Sequence, residues 1–277
     1  MKPDAGVLPV RPVVIKLGGR ALEAPGAPAE FAAALAALAH PAVVVHGGGA
    51  EVTAWCGKLG IASRFENGLR VTDPATLEVA TAVLAGLANK RLVAALRAAG
   101  VDAVGLAALD GGTVSVKRHA QSATLGEVGE VESVDASLLN ALLAQGRTPV
   151  LASIAATAAG ELLNVNADDA ASALASAVHA SDLALLSDTP GLKLDGEVVS
   201  EIVAEDFDAT LAHPQVEGGM RPKLAAAAAA VRAGVSRVHI AAWRGPDTLR
   251  TLVLERSHGT LLHAGAEHGA ATEVTHG

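Results

Sequence analysis

Short apolar runs, glycine-rich turns and alanine–leucine stretches follow one another along most of the chain. Residues 13–17 (VVIKL) run into Gly18-Gly19, and a helix is expected from about Pro28 to Ala39. Residues 42–46 (AVVVH) run into Gly47-Gly48-Gly49, with helix resuming through Leu59. Further buried strands are expected at 101–106 (VDAVGL), 148–152 (TPVLA), 183–187 (LALLS) and 236–241 (SRVHIA). Runs this continuously apolar suit a parallel sheet covered on both faces. The alternation of strand with helix makes the expected fold class α/β, a mainly parallel open sheet sandwiched between helices.

The clearest helix opens at Asp73, which can cap it, with Pro74 at the first helical position. Leu77, Leu84, Leu87, Leu92 and Leu96 keep an apolar face until Gly100. It is longer than one layer usually needs to cover, so part of it is expected at a subunit contact. Residues 111–132 alternate apolar and polar positions with glycine breaks, as antiparallel hairpins do. Residues 191–199 (GLKLDGEVV) carry an Asp-Gly turn between apolar flanks, a second hairpin signal. The stretch after Leu262 has no periodicity and is expected to fray.

Composition narrows the classes. With 51% hydrophobic and 18% charged residues the 277-residue chain is not a disordered one. Aromatics at 2%, with no tyrosine, leave no stacking platform for single-stranded nucleic acid. The net charge of −8 argues against a polyanionic partner but leaves a local nucleotide site open. Cys56 is the one cysteine, which excludes an intramolecular disulfide and a cysteine metal cluster. The N-terminus has no long apolar run, and no uncharged apolar stretch stands out as a membrane span. These features predict a cytoplasmic protein with no nucleic-acid or membrane partner.

Candidate chemistry gathers at the strand–glycine junctions. Glycine lets the backbone approach a ligand, and helix N-termini favour anions. Neither junction is a P-loop or a dinucleotide fingerprint, and each glycine turn also reads as ordinary turn punctuation. Lys16 lies among apolar residues near a strand end, where it either meets an anion or snorkels to water. In 164–169 (NVNADD), Asn166 can cap the following helix and Asp168 suits its first turn. Capping does not account for Asn164, Asn166 and Asp168 alternating beside an apolar run. Residues 218–223 (GGMRPK) place Lys223 at the opening of an alanine-rich helix, unremarkable as a lone motif.

From about residue 12 to residue 262 the chain resembles the amino acid kinase family and, within it, the acetylglutamate kinases. The resemblance rests on VVIKLGG (13–19), VVVHGGG (43–49), NGLRVTD (67–73), LLNVNADDAA (162–171), LLSDTPGL (185–192) and GGMRPKL (218–224), in that order. It implies a single domain over 1–277, with a lobe to about residue 175 for the acyl-amino acid and a lobe from about 176 for ATP. It implies that Gly48, Gly49, Arg70 and Asn164 contact the acceptor, and that Lys16 and Lys223 stabilise the transferring phosphoryl group. Asp168 falls on the carboxylate that orients those lysines, and Gly19 on a phosphate-approaching glycine. Ser187, Asp188, Gly191 and Leu192, with parts of 215–217, fall on the nucleotide strip.

The implied reaction is ATP-dependent phosphorylation of the side-chain carboxylate of N-acetyl-L-glutamate, with Mg²⁺ carried on the nucleotide and no protein metal site. A carboxylate is already ionised at neutral pH, so no general base is needed. The absence of a recognisable Ser-His-Asp set fits that requirement, and His46 reads as structural. Arg221 departs from the family, which usually has an apolar residue there. The family's arginine-inhibited branch carries an extra N-terminal helix and an acidic, threonine-bearing stretch. The few residues before the first strand and 254–265 match neither, so the resemblance implies a homodimer insensitive to arginine. The rival readings are an aminoadipate kinase of carrier-linked lysine synthesis and a non-catalytic amino-acid and nucleotide sensor.

Overall fold

Each of the apolar runs becomes a strand of one eight-stranded sheet in the computed structural model, which describes residues 10–18, 26–255 and 258–265. Across the sheet the order is Glu201–Val203, Thr260–His263, Arg237–Ala242, Asp182–Ser187, Val13–Leu17, Ala42–His46, Thr148–Ala152 and Ala103–Ala107. The last six of these run parallel. Thr260–His263 is antiparallel to its inner neighbour, and Glu201–Val203 pairs parallel with it at the edge.

Val13–Leu17 and Ala42–His46 are buried at every position, as strands covered on both faces must be. Side chains alternate between the two layers. Val14, Val43 and Val45 pack with the layer that holds helices Ala167–Ala177 and Met220–Arg232. Val13, Ile15 and Leu17 pack with the opposite layer, built from helices Ala27–Leu38 and Asn89–Ala98. Lys16, in phase with Val14, therefore points into the first of these layers. From Val13–Leu17 the chain crosses to one side and from Asp182–Ser187 to the other. The carboxyl ends of those two neighbouring strands thus bound the crevice where open α/β sheets bind ligands.

Smaller elements sit over that edge. Val114–Arg118, Val128–Val134, Ile154–Ala156 and Leu162–Val165 close into a four-stranded barrel, and the first two form the antiparallel pair expected within 111–132. Lys193–Leu194 and Glu197–Val198 form the expected Asp-Gly hairpin. A further hairpin, Arg64–Glu66 with Leu69–Val71, turns through Asn67 and Gly68 at φ 49° and 84°. Two successive positive φ values are what Asn-Gly supplies in a tight hairpin turn, and the sequence reading passed over this signal. It also missed the antiparallel pairing of Ile154–Ala156 with Leu162–Val165.

The Asp73 cap is present: its carboxylate accepts from the Thr76 amide at 2.7 Å. The helix runs Pro74–Thr81, widens to π-type turns over Ala82–Ala88 and continues as Asn89–Ala98. By length and composition alone, Pro74–Ala98 is the one helix among the described residues that could cross a membrane, although the sequence reading marked no membrane span there. Val83, Leu84, Leu92 and Leu96 are buried in the protein core. At the opposite end of the sheet Asp182, 1% exposed, takes two 2.7 Å hydrogen bonds from Arg237 and one of 2.9 Å from His239. Burial alone would raise its carboxyl; the bonds from His239 and Arg237 instead bring it down to about 2.

Candidate active site

Three chain segments far apart in sequence bring one carboxylate and two ammonium groups together. Lys16 comes from the innermost strand, Asp168 from the first turn of helix Ala167–Ala177, and Lys223 from the first turn of helix Met220–Arg232. Lys16 Nζ lies 2.8 Å from Asp168 Oδ1, and Lys223 Nζ lies 3.1 Å and 3.0 Å from Oδ1 and Oδ2. All three residues are 7% exposed. Burial by itself would raise the Asp168 carboxyl, and the two ammonium groups overturn that and hold it below the ordinary carboxylate range. Burial lowers Lys223, the nearby Lys16 charge adds to the lowering, and Asp168 opposes it. Two positive charges share one negative partner, so the cluster has a net charge of +1 and favours a further anion.

A cavity of about 240 Å³ opens beside this cluster. Lys16 and Asp168 form one wall, and Gly48, Gly49, Arg70 and Asn164 contribute to the rest. Gly49 begins helix Gly49–Lys58, so that helix and Ala167–Ala177 both present their N-termini at the cavity. A Cβ at Gly48 would lie 2.6 Å from the end of Leu84, which leaves space there for little beyond glycine without moving that side chain. Beneath the turn, fully buried His46 donates from Nδ1 to the Gly47 carbonyl at 2.9 Å and accepts from Asn89 at Nε2, 3.1 Å away. Burial lowers its pKa, and the Asn89 donor matches only the neutral ring, which agrees with the structural reading of this histidine.

Arg70, 8% exposed on the Asn-Gly hairpin, stands over the Phe65 ring at 4.6 Å. Nη2 donates to the Gly49 carbonyl at 2.6 Å and to Thr53 Oγ1 at 2.7 Å, and Nη1 donates to Ser63 Oγ at 3.1 Å. No carboxylate pairs with it among the described residues. Either two-pronged grip of a guanidinium uses Nη2, so a bidentate hold on a ligand requires release of the Gly49 or Thr53 contact. Asn164 donates to Thr72 Oγ1 at 3.2 Å and lines the same cavity.

Asn166 caps its helix through Oδ1, accepting from the amides of Asp168 at 2.7 Å and Asp169 at 3.3 Å, and it also lines the cavity. The sequence reading gave Asn166 the cap, noted that capping left the Asn164, Asn166 and Asp168 alternation unexplained, and assigned Asn166 no ligand contact. It also missed Ser153, Leu69, Leu84 and Val128, which line the cavity without belonging to a polar motif.

The residues of the nucleotide strip are not in this cavity. Ser187 ends strand Asp182–Ser187, and its hydroxyl accepts from the Thr189 amide at 3.2 Å. Asp188 is exposed just beyond it. Gly191 is buried, and Leu192 belongs to the core with its amide donating to Thr260 Oγ1 at 2.8 Å. Gly19 lies outside the described residues. Arg221 is exposed and donates to the Leu211 carbonyl at 3.1 Å, so this departure from the family pattern leaves the burial of Lys223 undisturbed.

A model of the amino acid kinase family matches residues 11–242. Acetylglutamate kinase of Koribacter versatilis (strain Ellin345) is 43% identical over 232 residues, covering 82% of this chain and 89% of that protein. Acetylglutamate kinase of Salinispora tropica is 40% identical over 277 residues, covering 96% of this chain and 90% of that protein. Among solved structures, smu.665 from Streptococcus mutans UA159 superposes with a TM-score of 0.78 at 28% identity, covering 92% of this chain and 99% of that one. A carbamate kinase from Giardia shares the fold at 17% identity, with a TM-score of 0.70 over 93% of this chain and all of that one (100%).

Proposed function

The chain belongs to the amino acid kinase family, and from that premise we propose that it transfers the γ-phosphoryl group of ATP to the side-chain carboxylate of N-acetyl-L-glutamate. The products are N-acetyl-L-glutamyl 5-phosphate and ADP, the second step of arginine biosynthesis. Its relatives named acetylglutamate kinase, at 36–43% identity over most of the chain, support the substrate. The observation that carries the chemistry is the convergence of Lys16 and Lys223 on Asp168 beside a cavity whose wall includes Arg70, which meets no carboxylate among the described residues.

An oxygen of the acceptor carboxylate attacks the γ-phosphorus as the bond to the β–γ bridging oxygen breaks. No proton has to be removed, because the nucleophile is already an anion. The protein's task is to bring two anions into line and to stabilise the charge moving between them. We assign that task to Lys16 and Lys223, with Asp168 holding both ammonium groups in place. Helix N-termini at Gly49 and Ala167 add partial positive charge. No group of three His, Cys, Asp or Glu side chains among the described residues could cage a metal, and both Asp168 oxygens already meet ammonium groups. Mg²⁺ fits this site as an ion carried by the nucleotide phosphates, where it would neutralise the leaving ADP.

Acceptor binding is assigned to the part of the chain up to about residue 175 and ATP binding to the part from about 176, with Ser187, Asp188, Gly191 and Leu192 in the nucleotide strip. Supporting this, the whole cavity wall lies between Lys16 and Asp168. Arg70 is assigned the α-carboxylate of the acceptor. Arg70→Lys is expected to raise KM for the acceptor roughly 10-fold to 100-fold, because a lysine cannot reproduce the planar fork. KM for ATP should stay within a few-fold, and an unchanged acceptor KM would refute the assignment.

We further propose a cytoplasmic homodimer, with helix Pro74–Ala98 at the contact; Ala75, Ala82 and Gly86 are exposed along it. Light scattering should return the mass of two chains, and a monomer or hexamer would count against this. The reaction itself is tested by ADP release with N-acetylglutamate, free glutamate, aspartate and aminoadipate side by side, with hydroxylamine trapping of the acyl phosphate. Fastest turnover with N-acetylglutamate is expected. Preference for aminoadipate would favour the lysine-synthesis kinase, and no hydroxamate with any acceptor would favour a sensor.

A further inference from the structure

Buried hydroxyls in this protein are generally tied into the fold. Thr72 donates to the Arg70 carbonyl at 3.0 Å, Thr113 to the Asp110 carbonyl at 2.7 Å, and Ser172 to the Ala226 carbonyl at 2.9 Å. Ser153 differs. It is 3% exposed, one residue beyond strand Thr148–Ala152, and its side chain makes no hydrogen bond among the described residues. It lines the cavity, and its hydroxyl is not among the sealed orphan atoms of the interior. Its main chain is fixed, since the carbonyl accepts from the Val165 amide at 3.0 Å. A buried hydroxyl with no partner, on rigid backbone at a cavity wall, is a hydrogen-bonding group held for a ligand.

The sheet gives the position of that group relative to the chemistry. Lys16 lies on Val13–Leu17, Ala42–His46 is the next strand, and Ser153 follows the strand after that. Adjacent strands are about 4.8 Å apart, so Ser153 stands about 10 Å across the sheet from the Lys16 strand. With the reacting carboxylate of the acceptor at Lys16, Ser153 meets the opposite end of the molecule. That end carries an α-carboxylate and an acetamido group. The Arg70 cation is the match for the carboxylate, which leaves the neutral acetamido group for the neutral hydroxyl of Ser153.

We infer that Ser153 hydrogen-bonds the acetamido group of the acceptor and helps the site select an N-acylated amino acid over the free one. The inference rests on the acceptor proposed above. It gives the hydroxyl a role in substrate binding and none in phosphoryl transfer.

Ser153→Ala in the full chain tests it. KM for N-acetylglutamate should rise roughly 5-fold to 10-fold, the loss expected for one neutral hydrogen bond. The values of kcat and of KM for ATP should stay within about twofold, because the hydroxyl lies away from the reacting atoms. For free glutamate, assayed at the high concentrations a poor acceptor needs, kcat/KM should be unchanged, so discrimination between the two acceptors narrows. The melting temperature without ligands should also be unchanged, since no hydrogen bond within the fold is lost. An unchanged KM for N-acetylglutamate overturns the inference while leaving the kinase reading intact. An equal loss with free glutamate, or a drop of several degrees in Tm, overturns it in favour of a structural role. Wild-type enzyme that turns over another acceptor but not N-acetylglutamate overturns both readings.

Discussion

Lys16→Ala and Lys223→Ala each lower kcat roughly 100-fold or more, the scale for losing one preorganised group that stabilises transition-state charge. Each side chain is buried and bonded to Asp168, so neither moves far to meet a phosphoryl group arriving beside it. Because the stabilised charge moves during transfer, the loss should fall mainly on kcat, with KM for the acceptor within a few-fold. Lys223 also predicts a pH profile. Burial, aided by the neighbouring Lys16 charge, lowers its pKa from the ordinary 10.5. A neutral amine cannot stabilise the transferring group, so kcat/KM for ATP should fall on the alkaline side at a pH below 10.5. In Lys223→Arg that limb should vanish, whatever activity remains, because a guanidinium stays charged throughout the range. Near-normal turnover in both alanine variants would overturn the proposed roles, and a wild-type profile flat up to 10.5 would overturn the lowered lysine.

Asp168→Asn removes the charge that holds two buried ammonium groups together, and is expected to destabilise the free protein by about 3–5 kcal/mol. The carboxamide keeps the shape of the side chain, so the loss is electrostatic rather than a cavity. Because the folded carboxyl is depressed, its stabilising contribution is present above the ordinary value of 3.8 and disappears as pH falls through the folded value. The difference in stability between wild type and variant should therefore shrink in acid. Mg-ATP supplies replacement negative charge, so it should raise the Tm of Asp168→Asn more than that of the wild type. At the same time kcat should fall, because the lysines are no longer held in position. Equal melting temperatures for the two proteins, with and without nucleotide, would exclude this account of Asp168.

Much of the architecture was legible because it depends on local pattern. Runs such as VVIKL and AVVVH are apolar but for Lys16 and His46, as a strand covered on both faces requires. Asp73 followed by Pro74 marked a helix start to the residue, since cap and proline act within one turn. Asp195-Gly196 gave its hairpin, and Asn67-Gly68 carried the same signal in a segment read for its arginine instead. The barrel pairing of Ile154–Ala156 with Leu162–Val165 was harder to see, because strands this short offer too few positions for a periodicity.

The candidate site was legible as a set of residues but not as a geometry. Lys16, Asp168 and Lys223 entered through motifs, and nothing local in VVIKLGG or GGMRPKL says which carboxylate their ammonium groups meet. The engagement of both Nη2 hydrogens of Arg70 was equally hidden, since its partners Gly49 and Thr53 lie on another element. So was Ser153, an ordinary residue in the run TPVLASIAA until its neighbours are known.

The amino-acid sequence alone therefore determined the six parallel strands of the main sheet, several helix limits, the α/β class and the family resemblance, because these depend on neighbouring residues and on the order of motifs along the chain. Only the tertiary structure decided that two lysines from opposite ends of the chain share one aspartate, and that a buried serine hydroxyl has no partner within the fold. The physical reason is that both facts depend on which strands lie side by side. That adjacency arises from crossovers and sheet register, which join segments far apart in the sequence.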